Sequence, residues 1–256
     1  MEVKAKKYLG QHFLTDESIA RRIAESLSGQ NLRLLEIGPG MGVLTKYLCV
    51  DERYDFRAVE IDSESVAYLA LRYPNVKVIE GDFLRMDLTT LFHDSFAVIG
   101  NFPYNISSQI LFRVYENRTL IPEVVGMFQK EVAERVAAGP GSKTYGILSV
   151  LLSAFYDIEY LFTVPETVFN PPPKVKSAVI RLVRNNVTAL ECDEKLFTQI
   201  VKTAFNQRRK TLRNALLPLG IALDGIDSQL LAKRAEQLAV ADFVQITSKL
   251  SQNKPC

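Results

Sequence analysis

The chain has 256 residues, 47% of them hydrophobic, and a formal net charge of +2, enough to bury a sizeable core in one large domain with a small companion. No run reaches the roughly 18 apolar residues of a membrane span, and Met1-Glu2-Val3-Lys4-Ala5-Lys6-Lys7 lacks the apolar stretch of a secretory signal, so a cytoplasmic protein without a membrane partner is expected. Cys49, Cys192 and Cys256 stand far apart and only His12 and His93 are available to join them, so neither a disulfide framework nor a metal site is expected.

Short β-rich runs alternate with helix-patterned stretches from about residue 32 to residue 138, the signature of a parallel sheet covered by helices. In chain order the pattern predicts strands at 33–37, 56–61, 76–80, 96–100 and 124–128, with helices at 43–49, 63–72 and 106–115 between them. Residues 158–164 and 175–183 have strand character with no helix between them and predict an antiparallel addition at the sheet edge. Past Arg184 the composition turns helical, with helices predicted at 194–206, 210–217, 228–238 and 242–250. Two domains are therefore expected, 1–186 and 187–256.

The first predicted strand runs into Gly38-Pro39-Gly40-Met41-Gly42. That Gly-x-Gly-x-Gly spacing lets backbone approach a ligand closely, and it differs from the Gly-x-Gly-x-x-Gly of dinucleotide sites. A tight loop of purely structural purpose is the plain alternative. The next strand ends at Glu60, 18 residues past Gly42, where a carboxylate can accept both hydroxyls of a ribose. The third ends in Gly81-Asp82-Phe83, whose carboxylate can accept an adenine amine beside an apolar cover. Either acid can instead cap a helix. Three consecutive strands, each ending in a group suited to one part of an adenosine, point to an adenosine cofactor.

The fourth strand is followed by Asn101-Phe102-Pro103-Tyr104. An Asn side-chain oxygen accepts from an exocyclic NH2, Pro103 offers a carbonyl with no N–H of its own, and Tyr104 offers a stacking face, which together suit a nucleobase amine. A strand-ending turn would use Asn and Pro as well. From Lys195 to Leu223 there are six basic residues and no acidic one, four of them in Arg208-Arg209-Lys210 and Arg213. On a helix these make either a solvated face or a phosphate-binding ridge. Gly139-Pro140-Gly141-Ser142-Lys143 reads as a plain connector or as a flexible basic loop near substrate.

The strand-end pattern resembles the class I S-adenosylmethionine-dependent methyltransferases, and Asn-Phe-Pro-Tyr narrows it to those that methylate an exocyclic amine. Gln11-His12-Phe13-Leu14, Val168-Phe169-Asn170-Pro171-Pro172-Pro173-Lys174-Val175 and Phe205-Asn206-Gln207-Arg208-Arg209-Lys210-Thr211-Leu212-Arg213-Asn214 together resemble the small-subunit ribosomal RNA adenine dimethyltransferase family over nearly the whole chain. The resemblance implies an α/β fold, a Rossmann-like, mostly parallel class I sheet with an antiparallel edge strand, and a small C-terminal α-helical domain. It implies S-adenosylmethionine as cofactor and small-subunit (16S) rRNA within an immature 30S-type particle as partner. The reaction implied is dimethylation of two adjacent adenosines in a loop near the 3′ end, by a monomer.

Carried over by motif, the resemblance places His12 and Leu14 over the cofactor, Glu36, Gly38 and Gly40 along its methionine portion, Glu60 on its ribose and Asp82 on its adenine. Asn101 is placed between the cofactor methyl and the substrate amine, and Tyr104 and Phe169 are the two rings that sandwich the target adenine. Arg208, Arg209, Lys210 and Arg213 dock on RNA phosphates. The chain departs from the family in having Phe102 where many relatives have Leu and His12 where some have Asn. Three other readings compete: a large-subunit rRNA adenine methyltransferase, an RNA-binding assembly or transcription factor with a relic pocket, and a nicotinamide dehydrogenase.

Overall fold

The computed structural model describes residues 3–252; Met1, Glu2 and residues 253–256, Cys256 among them, lie outside the described part. The first elements in chain order are β1 (Phe13–Leu14), α1 (Glu17–Ala24), β2 (Arg33–Ile37), α2 (Thr45–Leu48), β3 (Asp55–Glu60), α3 (Ser63–Arg72) and β4 (Lys77–Glu80). There follow β5 (Ala97–Asn101), α4 (Ser107–Glu116), β6 (Glu123–Gln129), α5 (Lys130–Val136), α6 (Ile147–Ser153), β7 (Tyr156–Val164), β8 (Phe169–Asn170) and β9 (Ser177–Arg184). The chain closes with α7 (Glu194–Asn206), α8 (Leu212–Leu216), α9 (Ser228–Ala232) and α10 (Val240–Gln252).

Seven strands form one sheet in the order β4-β3-β2-β5-β6-β9-β7. The five from β4 to β6 run parallel, whereas β9 lies antiparallel to β6 over its whole length, from Glu123 opposite Val183 to Gln129 opposite Ser177. Consecutive residues of β2 and β5 are buried. Since neighbours on a strand face opposite sides, both faces of the central sheet are covered, which is why these strands read as unbroken apolar runs. β2 pairs with β3 on one side and β5 on the other, so the chain reverses its direction of travel there and leaves a crevice at the carboxyl ends of these strands.

The helix starts follow from aspartates that satisfy the first free amides. Asp16 accepts from the N–H groups of Ser18 and Ile19, and Asp193 from those of Lys195 and Leu196. A two-stranded ribbon, β1 with β8, lies outside the main sheet and sets Leu14 opposite Phe169. Its strands are two residues each, too short to announce themselves by alternation.

The chain forms two compact units. One runs through Ala133 and resumes at Ile158–Arg184; the other comprises Glu134–Asp157 together with the stretch from Asn185 onward. The expected boundary near residue 186 falls at the second junction. Residues 134–157, expected in the first domain, pack in the helical unit, because the apolar α6 sets Leu148, Val150, Leu151 and Leu152 into a core. Among the described residues no helix is long and apolar enough to cross a membrane.

Phe102 is the fold's contribution to the site. Its ring is buried, lies 5.0 Å from the ring of Phe128, and fills a notch that two glycines leave open in adjacent strands. A Cβ on Gly126 would lie 2.2 Å from the Phe102 ring, and one on Gly100 would lie 2.7 Å from it. Gly126→Ala is therefore expected to cost about 1–3 kcal/mol by overpacking. The urea midpoint of the variant, read at unchanged slope, measures that loss.

Candidate active site

A cavity of about 540 Å³ opens at the carboxyl ends of β2, β3, β4 and β5, within the usual size of a small-molecule site. Its walls include His12, Leu14, Glu36, Gly38, Gly40, Glu60, Asp82, Asn101, Pro103 and Tyr104, so ten of the residues singled out from sequence meet around one space.

The glycine loop after β2 has Gly38, Gly40 and Gly42 at positive φ, where a side chain is strained. Gly40 also has no room for one, since a Cβ would lie 2.9 Å from the Phe13 ring. Glu60, at the end of β3 and 3% exposed, braces this loop. Its Oε2 accepts from Gly40 N at 3.0 Å, and its Oε1 accepts from Ile61 N and Asp62 N, both at 2.9 Å. Of about four lone-pair sites on a carboxylate, three are thus taken by main chain, leaving one on Oε2. Burial pushes the Glu60 carboxyl above its ordinary value, against the pull of those N–H donors.

Glu36 lies deeper. It is 1% exposed, its Oε2 accepts from Thr45 Oγ1 at 2.6 Å, and burial pushes its pKa up to about 8, with the Glu60 carboxylate adding to the rise and the Thr45 hydroxyl opposing it. Ile61, 53% exposed, and Phe83, buried, supply apolar wall. Asp82 Oδ1 accepts from Leu84 N at 2.9 Å, and Arg113 from α4 holds this loop by donating to the carbonyls of Phe83 and Met86. The cavity thus combines two carboxylates at adjoining strand ends, an apolar flank and a glycine-rich loop.

Asn101 ends β5 and donates through Nδ2 to the His12 carbonyl at 3.0 Å. A carbonyl only accepts, so this bond decides which end of the amide is which and leaves Oδ1 as an acceptor without a partner among the described residues. The Pro103 carbonyl already accepts from Ile106 N at 3.2 Å and keeps one lone pair. Tyr104 bonds through its hydroxyl to Ser177 Oγ on β9, and burial raises its pKa.

Phe169 is not brought to this cavity. It is 4% exposed and belongs to the core cluster with Leu14, Ile99 and Val179. Phe169 packs in that core with Leu14, the residue opposite it on the ribbon, although Leu14 also reaches the cavity wall. The ring that stacks on Tyr104 is instead His12, with centroids 5.3 Å apart and planes at 29°.

Sequence reasoning missed Lys6, whose ammonium pairs with Asp62 and Glu64, and Gln11, which accepts from Lys6 N at 2.8 Å. Burial would raise the Asp62 carboxyl, but hydrogen bonds from Lys6, Ser65 and Gln11 hold it below the ordinary range. These contacts tie the N-terminal segment to the end of β3; Gln11 opens the Gln-His-Phe-Leu motif, but nothing local marks Lys6 as its partner.

In the helical unit, Arg209, Lys210 and Arg213 are exposed, whereas Arg208 is half-buried. Arg208 donates to the Lys143 carbonyl at 2.6 Å and the Ser142 carbonyl at 3.4 Å, and its Nε lies 3.7 Å from Glu236. Gly141 N in turn donates to the Glu236 carbonyl at 2.7 Å. The Gly139–Lys143 stretch is therefore held in place, and Arg208 is spent on holding it.

The parallel sheet, the glycine loop at its reversal point and the Asn-Phe-Pro-Tyr turn define a class I methyltransferase. A family model described as ribosomal RNA adenine dimethylase matches residues 2–252, and the chain belongs to that family, whose reaction is methyl transfer to an rRNA adenine. The ribosomal RNA small subunit methyltransferase A of Cytophaga hutchinsonii is 60% identical over 254 residues, 98% of each chain. That of Bacteroides thetaiotaomicron is 57% identical over 255 residues, 98% of this chain and 95% of its own. Among solved structures, a dimethyladenosine transferase from Plasmodium falciparum has the same fold, with a TM-score of 0.76 at 24% identity over 94% of this chain and 98% of its own. The 23S rRNA methyltransferase ErmE has a TM-score of 0.68 at 27% identity, covering 92% of this chain and 99% of its own.

The Glu36 carboxyl ties stability to pH. Folded, it keeps its proton up to about pH 8, whereas unfolded it releases it near 4.5. Between those values the folded state binds more protons, so its contribution to stability is full below 4.5 and is lost as pH rises through 8. Glu36→Gln cannot ionise. Its urea midpoint is expected to gain on that of the parent protein as pH is raised from about 5 to about 8.

Proposed function

We propose that this chain dimethylates the exocyclic amines of two adjacent adenosines near the 3′ end of small-subunit rRNA, using S-adenosylmethionine, within an immature small ribosomal subunit in the cytoplasm and as a monomer. Its first unit is the methyltransferase domain and its helical unit the RNA-docking domain. The single observation that carries the reading is the Asn101 amide on the cavity wall, tied by its nitrogen so that its oxygen is left as an acceptor. Relatives named for the small subunit, at 57–60% identity, favour that target over the large-subunit rRNA named for ErmE.

When bound, S-adenosylmethionine supplies an electrophilic methyl carbon on a sulfonium sulfur. Glu60 Oε2 would offer its remaining lone pair to a ribose hydroxyl, Asp82 would accept from the adenine amine, and Ile61 and Phe83 would cover the ring. The glycine loop would hold the amino-acid portion near Glu36.

An aromatic amine is a weak nucleophile because its lone pair is shared with the ring. In the first transfer Asn101 Oδ1 and the free lone pair of the Pro103 carbonyl accept from its two N–H groups and draw the nitrogen toward a tetrahedral, reactive shape, and in the second the one remaining N–H keeps one of these acceptors. Each transfer forms an N–C bond as the methyl–sulfur bond breaks, and the nitrogen then releases one proton to solvent. Tyr104, anchored by Ser177, gives the flipped base a fixed face, worth about 1–3 kcal/mol against an unstacking cost of a few kcal/mol. The groups act by placement.

Outside the cavity, Arg209, Lys210 and Arg213 present free cations to RNA phosphates, which position the enzyme without reading sequence. Arg208 serves the same end indirectly, by holding the loop that carries Lys143.

Asn101→Ala is expected to lower turnover about 100-fold or more, the usual loss of one preorganised polar contact to the reacting group, with RNA affinity little changed. Parallel methyl-transfer and filter-binding assays separate the two, and equal losses refute the assignment. Removing Arg209 and Arg213 together should flatten the slope of log affinity against log salt by roughly 1.5. Filter binding at stepped KCl concentrations measures it. Arg208→Ala should instead loosen the Gly139–Lys143 loop, seen as faster amide exchange there.

A further inference from the structure

His12 is joined to the proposed base site twice. Its carbonyl receives Asn101 Nδ2 at 3.0 Å, and its ring lies on Tyr104 with centroids 5.3 Å apart and planes inclined by 29°. That separation and tilt are those of a stacked aromatic pair. The imidazole is oriented by a third contact, Nδ1 at 2.8 Å from the Pro171 carbonyl. Since a carbonyl cannot donate, Nδ1 carries the proton.

The two rings differ in how firmly they are held. Tyr104 is fixed at its far end by Ser177 Oγ and rests in a turn whose Phe102 fills the core. The His12 ring is only half-buried and is held by one hydrogen bond and the stack. It can swing about χ1 into another rotamer while its backbone, paired through the neighbouring Phe13 and Leu14 with β8, keeps its carbonyl on Asn101. Phe169 has no such freedom, because it is bedded in the core.

Resting on the reading of Tyr104 as the base platform, we infer that the His12 imidazole is a placeholder: it covers the Tyr104 face that the target adenine takes, and the base binds by displacing it. The flat polar ring keeps the platform covered until a larger π-surface arrives. Exchange of one stack for another lets the base enter without opening the core, and the displaced imidazole leaves Asn101 in its reactive setting. Occupancy by the placeholder weakens apparent base affinity by the fraction of time the face is free, so weakly stacking bases are disfavoured relative to purines.

The test titrates adenosine 5′-monophosphate into the full-length protein saturated with S-adenosylhomocysteine, so that the adenosine site of the cofactor is already filled, and follows binding by two-dimensional NMR. In the free protein, cross-relaxation between the His12 and Tyr104 ring protons is expected, and it should vanish as the nucleotide binds. His12→Ala, which keeps the carbonyl for Asn101 and removes the covering ring, should bind the nucleotide roughly fivefold tighter, and His12→Phe, which keeps a covering ring, should stay within about twofold of the parent protein. A ring with only a structural role would not make affinity follow the loss of cover. Unchanged affinity in both variants, no cross-relaxation in the free protein, or cross-relaxation that persists in the bound one overturns the placeholder and leaves the base site standing. If the nucleotide binds neither parent protein nor His12→Ala, or binds Tyr104→Ala as well as the parent, the base-platform reading fails and the placeholder with it.

Discussion

Glu60 is the constraint on which the site is built. A loop with three glycines at positive φ turns its amides away from the regular ladder of the sheet, and an unpaired buried N–H is costly. One carboxylate at the end of the neighbouring strand takes the amide of Gly40 and also those of Ile61 and Asp62. The bond to Gly40 sets the floor of the cavity relative to β3, and the bonds to Ile61 and Asp62 fix the turn into α3. A residue that reads as a ligand contact is thus first a brace, with one lone pair left over for anything bound beside it.

From that turn a chain of contacts runs to Asn101. Asp62, whose amide Glu60 holds, caps α3 and pairs with Lys6. Lys6 in turn bonds through its amide to Gln11, one residue before His12, whose carbonyl fixes Asn101. The N-terminal segment is therefore tied to the end of β5 and its Asn-Phe-Pro-Tyr turn, although it contributes only two residues to strand structure. On the opposite side Phe102 sinks into the notch over Gly100 and Gly126 and so lifts Pro103 and Tyr104 to the cavity rim. The turn works as a unit because one ring anchors it and the next is presented.

The helical unit shows how charge is apportioned. A basic run with no acid nearby in sequence looks uniformly available for phosphate, yet Arg208 meets Glu236 and two carbonyls of a glycine-rich loop, while Arg209, Lys210 and Arg213 stay exposed. Surface cations near RNA gain from counterion release whatever their exact pose. An arginine with five planar donors is also well suited to gathering several carbonyls at once, and Arg208 takes that second role.

Periodicity and strand-end chemistry determined the parallel sheet, most of its strands, the long terminal helices and the placing of Gly38, Gly40, Glu60, Asp82 and Asn101 at strand ends that converge on one crevice, because alternation and apolar runs report burial directly and carboxyl ends of parallel strands converge; Glu36 came from the family resemblance. Three things were decided only in three dimensions. Segment 134–157 joined the helical unit, since its apolar surface found its partners far along the chain. Phe169 packed into the core beside Leu14 while His12 lay on Tyr104, contacts that two-residue strands with no readable register do not announce. Arg208 became a clamp because its acid lies in a distant turn. Local sequence encodes which groups a segment offers; which of them stay free is settled by partners that only folding brings near.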